Sequence, residues 1–170
     1  MTVANPPVYQ AFNGAQPTTA AIVKVATGTS IKTMLQLATG SSKPIRIMAW
    51  GYTMDTAPGG VGTIELIQTD VAATVTAHVA SGLVSYNASK TPSSLTLGTA
   101  ATGYTGSAEG SITATTVFDA VGIGATSALT YTQTFLTDNR PVLPVSSFLR
   151  IRATIATTGT NMLCWIKWHE

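Results

Sequence analysis

"IRIMAWGYTMD", residues 45–55, carries the alternation of a β-strand and an anomaly with it. Period-two geometry places Ile45, Ile47, Ala49 and Gly51 on one face and Arg46, Met48, Trp50 and Tyr52 on the other. Both faces are largely apolar, whereas the free face of an antiparallel sheet is usually polar. The second face therefore needs a cover: another subunit, a partner, or a long loop of the same chain such as residues 98–111.

Outward from this strand the chain reads as β throughout. "AAIVKVAT" and "SIKTMLQLAT" precede it across a turn at Gly28, and "TIELIQTD" follows it after "APGGVG". Further along come "SSLTLGT", "SITATTVFDAVGI", "SALTYTQTFLT", "SSFLRIRATIAT" and "NMLCWIKWHE". About ten short strand patterns with regularly spaced turns predict an all-β sandwich or barrel. Within "TDVAATVTAHVASGL" the Val/Ala alternation favours a strand, with a short helical turn near Asp70. The small-residue stretch 98–111, "GTAATGYTGSAEGS", reads as a long surface loop with Tyr104 as its one anchor.

Residues 1–20 carry Pro6, Pro7 and Pro17 and read as an extended arm, with 21–170 as a single domain. Val8, Tyr9 and Phe12 are the arm's candidate anchors on a neighbouring subunit. The last two strands read as a hairpin about "TTGT", 157–160, which sets Ile155, Ala153, Ile151 and Leu149 opposite Met162, Cys164, Ile166 and Trp168 as a core face. Its other face would then pair Arg152 with Trp165, a cation over an indole, and Arg150 with Lys167, a like-charge conflict that a docked acid would relieve. Arg150, Arg152, Trp165, Trp50 and Tyr52 are accordingly the candidate contact residues.

Composition narrows the function classes. Charged residues make up 9% of the 170-residue chain, against roughly 25% in an ordinary soluble domain. A net charge of +2 with scattered basic residues does not suggest a nucleic-acid partner. No stretch approaches the ~20 apolar residues of a membrane span, and no secretory leader is visible. Two histidines, His78 and His169, and the lone Cys164 are too few for a zinc site, so no metal or cofactor is expected. No serine or cysteine stands in a nucleophile motif, and of the acids only Asp55 and Glu65 are candidates to approach one another, across the "APGGVG" turn. "GIGATS", 122–127, lacks the lysine of a phosphate loop and precedes a strand rather than a helix. "NAS", 87–89, is a glycosylation acceptor in form only. The chain is expected not to be an enzyme. A glycan-binding sandwich using Trp50 and Tyr52, or Trp165, as a stacking platform is the alternative.

The stretch "TIELIQTDVAATVTAHVASGLVSYN", 63–87, with the Thr/Ala/Gly-rich, charge-poor character of the whole, resembles small virion structural proteins of tailed bacteriophages, notably those infecting actinobacteria. The resemblance implies a jelly-roll-like antiparallel β-sandwich on the outside of the phage head, often a homotrimer. It implies a decoration or cement protein that binds the assembled major capsid protein, with no small-molecule substrate. Tail or connector components are the neighbouring roles within that class.

Overall fold

The structure, a computed structural model, describes residues 6–17, 19–86, 91–156 and 159–170. Its strands are β1 (Val8–Phe12), β2 (Val25–Ala26), β3 (Ile31–Ala38), β4 (Ile45–Met54), β5 (Gly62–Thr69), β6 (Thr74–Ala77), β7 (Leu83–Ser85), β8 (Gly103–Ala108), β9 (Thr115–Ile123), β10 (Thr130–Thr134), β11 (Val142–Leu143), β12 (Phe148–Ile155) and β13 (Asn161–His169). They form two packed antiparallel sheets. Sheet A runs β10-β4-β13-β1-β7, with β11 on β4 and β2 on β13; sheet B runs β6-β8-β3-β12-β5-β9.

The pairing is nested. β1 pairs with β13, β3 with β12, β4 with β10 and β5 with β9. One long hairpin, rolled so that successive pairs alternate between sheets, gives this order, and it is the jelly-roll wrap. Residues 70–114 are an insertion at the hairpin tip. They fold back to add β8 and β6 beside β3, and β7 beside β1.

The two faces of β4 have an internal explanation. Lys167 lies opposite Ala49 and Trp168 opposite Ile47, so Met48 is an extra residue, a β-bulge. Before it Ile45 and Ile47 face the core; after it Trp50, Tyr52 and Met54 do. The strand changes face midway, so both of its apolar sets are covered from within the chain. Gly51 falls on the outer side of the second half. A Cβ there would lie 2.6 Å from the Tyr131 carbonyl oxygen and 2.9 Å from Cζ2 of Trp165, so only glycine fits.

Several expectations need correction. β12 and β13 do not form a hairpin: β12 lies in sheet B between β3 and β5, and β13 in sheet A between β4 and β1. Their apolar faces, Leu149 to Ile155 and Met162 to Trp168, are fully buried as read, but they meet across the interior rather than side by side. Arg152 and Trp165 therefore stand on opposite outer surfaces, as do Arg150 and Lys167. The connection 157–160 is described only at Gly159 and Thr160; the acceptor at 87–89 lies outside the described residues. Residues 8–12 are extended, but as a strand inside sheet A and not as an outlying arm. The stretch 98–111 contains β8 rather than being a loop, and the short helical turn sits at Ala80–Gly82, not near Asp70.

A candidate interaction face

Over β3 and β12 the outer face of sheet B is covered by the chain itself. The Gln36 amide donates to the Ala101 carbonyl (2.6 Å) and accepts from the Ala73 N–H (2.8 Å), which lays the insertion across the sheet. Beneath it Arg150 is fully buried. Its Nη1 donates to the Glu109 carbonyl (3.0 Å) and carboxylate (3.1 Å), and its Nη2 to the Val71 carbonyl. Burial lowers the Arg150 pKa, and the Glu109 charge opposes that. Half-buried Arg152 donates Nε and Nη2 to one Glu65 oxygen (3.0 and 2.9 Å). The expected Arg150–Lys167 conflict does not arise, because the two lie in different sheets, and Arg150 has its counter-charge in Glu109 of the same chain.

Among the eight residues singled out from the sequence, four are interior. Trp50 and Tyr52 are buried because the Met48 bulge turns them inward, and Trp50 Nε1 donates to Asp119 Oδ2 (2.9 Å). The Tyr131 hydroxyl donates to the same oxygen (2.7 Å), so this carboxylate on β9 ties the edge strand of one sheet to the other sheet. Burial, then Asp119, pushes the Tyr131 phenol up to about 12, and raises that of Tyr52. Tyr9 is buried against the Trp168 ring (centroids 5.8 Å apart), its hydroxyl donating to the Thr91 carbonyl. Arg150 is the fourth. None of these four is open to a partner.

Val8, Phe12 and Trp165 remain, and they share the outer face of sheet A. Val8 lies opposite His169, Gln10 opposite Lys167 and Phe12 opposite Trp165. Trp165 is half-buried over Gly51. Lys167 Nζ sits 4.6 Å from the Tyr86 ring centroid, and Tyr86 donates to Gln10. At one end of this face Arg46 lies opposite both His169 and Val142, and Arg140 Nη1 donates to His169 Nε2 (3.2 Å). Arg46, Arg140 and His169 were not legible as contacts, because only strand register brings them together.

Among the described residues no acid–base pair assembles. Asp55 is paired with Lys24 and Glu65 with Arg152. Among the described residues no group of three or more potential ligands is placed to hold a metal. His78 is buried beside Tyr104, its Nε2 at 2.8 Å from the Phe12 carbonyl, and Cys164 is a buried thiol. A cavity of about 500 Å³ beside β7 is lined by residues such as Leu83, Pro92, Leu95 and Thr91, with no ionisable side chain. Comparison with protein-family models, with curated proteins and with solved structures returns no match for this chain.

Proposed function

We propose that this chain is a non-enzymatic structural protein of a bacteriophage particle, a decoration protein that binds the assembled major capsid protein on the head exterior. It would be made in the host cytoplasm and act as a homo-oligomer, a trimer in the first instance. The observation that carries the reading is how the polar groups are spent. The ion pairs and buried hydrogen bonds just described hold the sandwich, and the outer face of sheet A keeps half-buried Trp165 and exposed Arg46, which has no ion pair among the described residues. A rigid, weakly charged jelly roll with one such face suits a clamp across neighbouring capsomers. The resemblance of residues 63–87 to small phage virion proteins points the same way.

Light scattering across dilution gives the oligomeric state, and co-sedimentation with empty heads of the same phage tests the role. Saturable binding with stabilisation of the heads supports it; a well-folded chain that stays in the supernatant overturns it. Trp165, half-buried over Gly51, keeps glycan binding as the second reading. Saturable sugar binding lost in Trp165→Ala, with no binding to heads, would replace the first.

A further inference from the structure

The outer face of sheet A ends in a corner whose charges are not balanced. A cavity of about 350 Å³ there is lined by Pro6, Lys43, Pro44, Arg46, Val142, His169 and Glu170. Arg140 reaches it through its 3.2 Å hydrogen bond to His169, and its own Nε is buried with no hydrogen-bond partner. Among the described residues the ion pairs are Lys24–Asp55, Arg150–Glu109 and Arg152–Glu65, and none involves Lys43, Arg46 or Arg140. Glu170, the one acid among the lining residues, has its carboxylate engaged: it accepts from the Ser93 hydroxyl (2.6 Å), the Ser94 N–H (2.9 Å) and Trp168 Nε1 (3.3 Å). Burial, then the Arg140 and Arg46 charges, keeps the His169 imidazole below its ordinary pKa. It is therefore neutral near pH 7 and serves Arg140 as an acceptor.

We propose that this corner of Lys43, Arg46, Arg140 and His169 binds carboxylates, and that its occupant is an acidic segment of a partner protein. The proposal deepens the reading above, which leaves the chemistry of the partner surface open. Three cations gathered in one recess repel one another, and a bound carboxylate reverses that while offering arginine its preferred planar acceptor. The apolar walls Pro6, Pro44 and Val142, continued along the face by Val8, Phe12 and Trp165, suit side chains flanking an acid. A nucleic-acid backbone instead rewards a long track of cations, which a chain of net charge +2 does not lay out. A second copy of the chain is also a poor occupant. Of the seven acids, Asp55, Glu65 and Glu109 are ion-paired, and Asp70, Asp119 and Glu170 are hydrogen-bonded within their own subunit; exposed Asp138 alone is left, a single carboxylate rather than an acidic segment.

The probe is a fluorescently labelled deca-glutamate peptide, titrated with the whole chain at low salt and read by anisotropy. The variant is Lys43→Gln with Arg46→Gln, both exposed positions, and Lys24→Gln is the control. Saturable binding is expected, weakened about tenfold or more by the double substitution and less than about twofold by the control. Equal losses in the two variants, or full displacement of the peptide by millimolar inorganic phosphate, would overturn the proposal. Arg140→Gln, which leaves both exposed cations in place, should give an intermediate loss. Wild-type and variant chains that co-sediment equally with heads would refute this inference and leave the structural role standing. Peptide binding through the corner, with no binding to heads, would do the reverse.

Discussion

Deleting Met48 should cost far more than its half-buried side chain is worth. The bulge lets Ile45 and Ile47 face the core ahead of it, and Trp50, Tyr52 and Met54 after it. Without the extra residue β4 has a single parity, because a one-residue shift sends every side chain to the other face. The second half holds more buried area and the Trp50–Asp119 hydrogen bond, so the first half turns over. Ile45 and Ile47 then meet water, at about 1.5–3 kcal/mol each, or roughly 3–6 kcal/mol together. Arg46 must also either enter the core or fray the start of the strand, which adds to the loss. Met48→Ala keeps the residue count and should cost about 1 kcal/mol or less. Urea unfolding followed by tryptophan fluorescence separates the two. With a slope of about 2 kcal/mol per M, the deletion moves the midpoint down by roughly 1.5–3 M, a large share of the stability of a typical domain. A deletion variant within about 1 kcal/mol of Met48→Ala would refute the face switch.

Glu109→Gln leaves the fully buried Arg150 without its counter-charge. A loss toward the lower end of about 3–5 kcal/mol is expected by denaturant unfolding, since the Glu109 side chain is 21% exposed. Tyr131 has its phenol raised to about 12 in the folded chain, above the ordinary value of 10.0, so its contribution to stability is complete below pH 10 and is lost as the pH rises towards 12. Tyr131→Phe should therefore flatten the fall in stability over that interval, and an unchanged slope would contradict the assignment. Burial pushes the Cys164 thiol well above its ordinary range, so a thiol reagent at pH 8 should label it only as fast as the chain unfolds, and rapid labelling under native conditions would place it elsewhere.

What could be read from the sequence was the core face of the regular strands β12 and β13, and what could not was which strand lies beside each. Alternation correctly turned Leu149, Ile151, Ala153 and Ile155, and Met162, Cys164, Ile166 and Trp168, towards the core. An apolar face looks the same whether its complement lies beside it in one sheet or across the interior in the other. The short step between β12 and β13 therefore suggested a hairpin where the chain crosses the sandwich. The Met48 bulge carries no glycine to announce it, so alternation was continued through it and Trp50 and Tyr52 were assigned to the surface. In 98–111 the small residues suggested a loop for a reason that also makes a tight sheet. A Cβ at Gly103 would lie 2.3 Å from the Thr76 carbonyl oxygen, so β6 and β8 pair there only because the side chain is missing. The candidate site was the least legible part. Arg46, Arg140 and His169 are far apart in sequence and become neighbours only through the registers of β4, β11 and β13.

The nested hairpin also fixes when the molecule can exist. Asn161–His169, the last strand of the wrap, pairs with β1, β2 and β4 and so lies in the middle of sheet A. During synthesis the partners on either side of it are made first and wait, with unpaired backbone edges facing one another across an empty lane. Such edges recruit other strands. A ribosome that stalls before residue 161 therefore releases a chain that cannot close its own sheet, and the period between β4 and β13 is when a crowded cell would most readily mispair it.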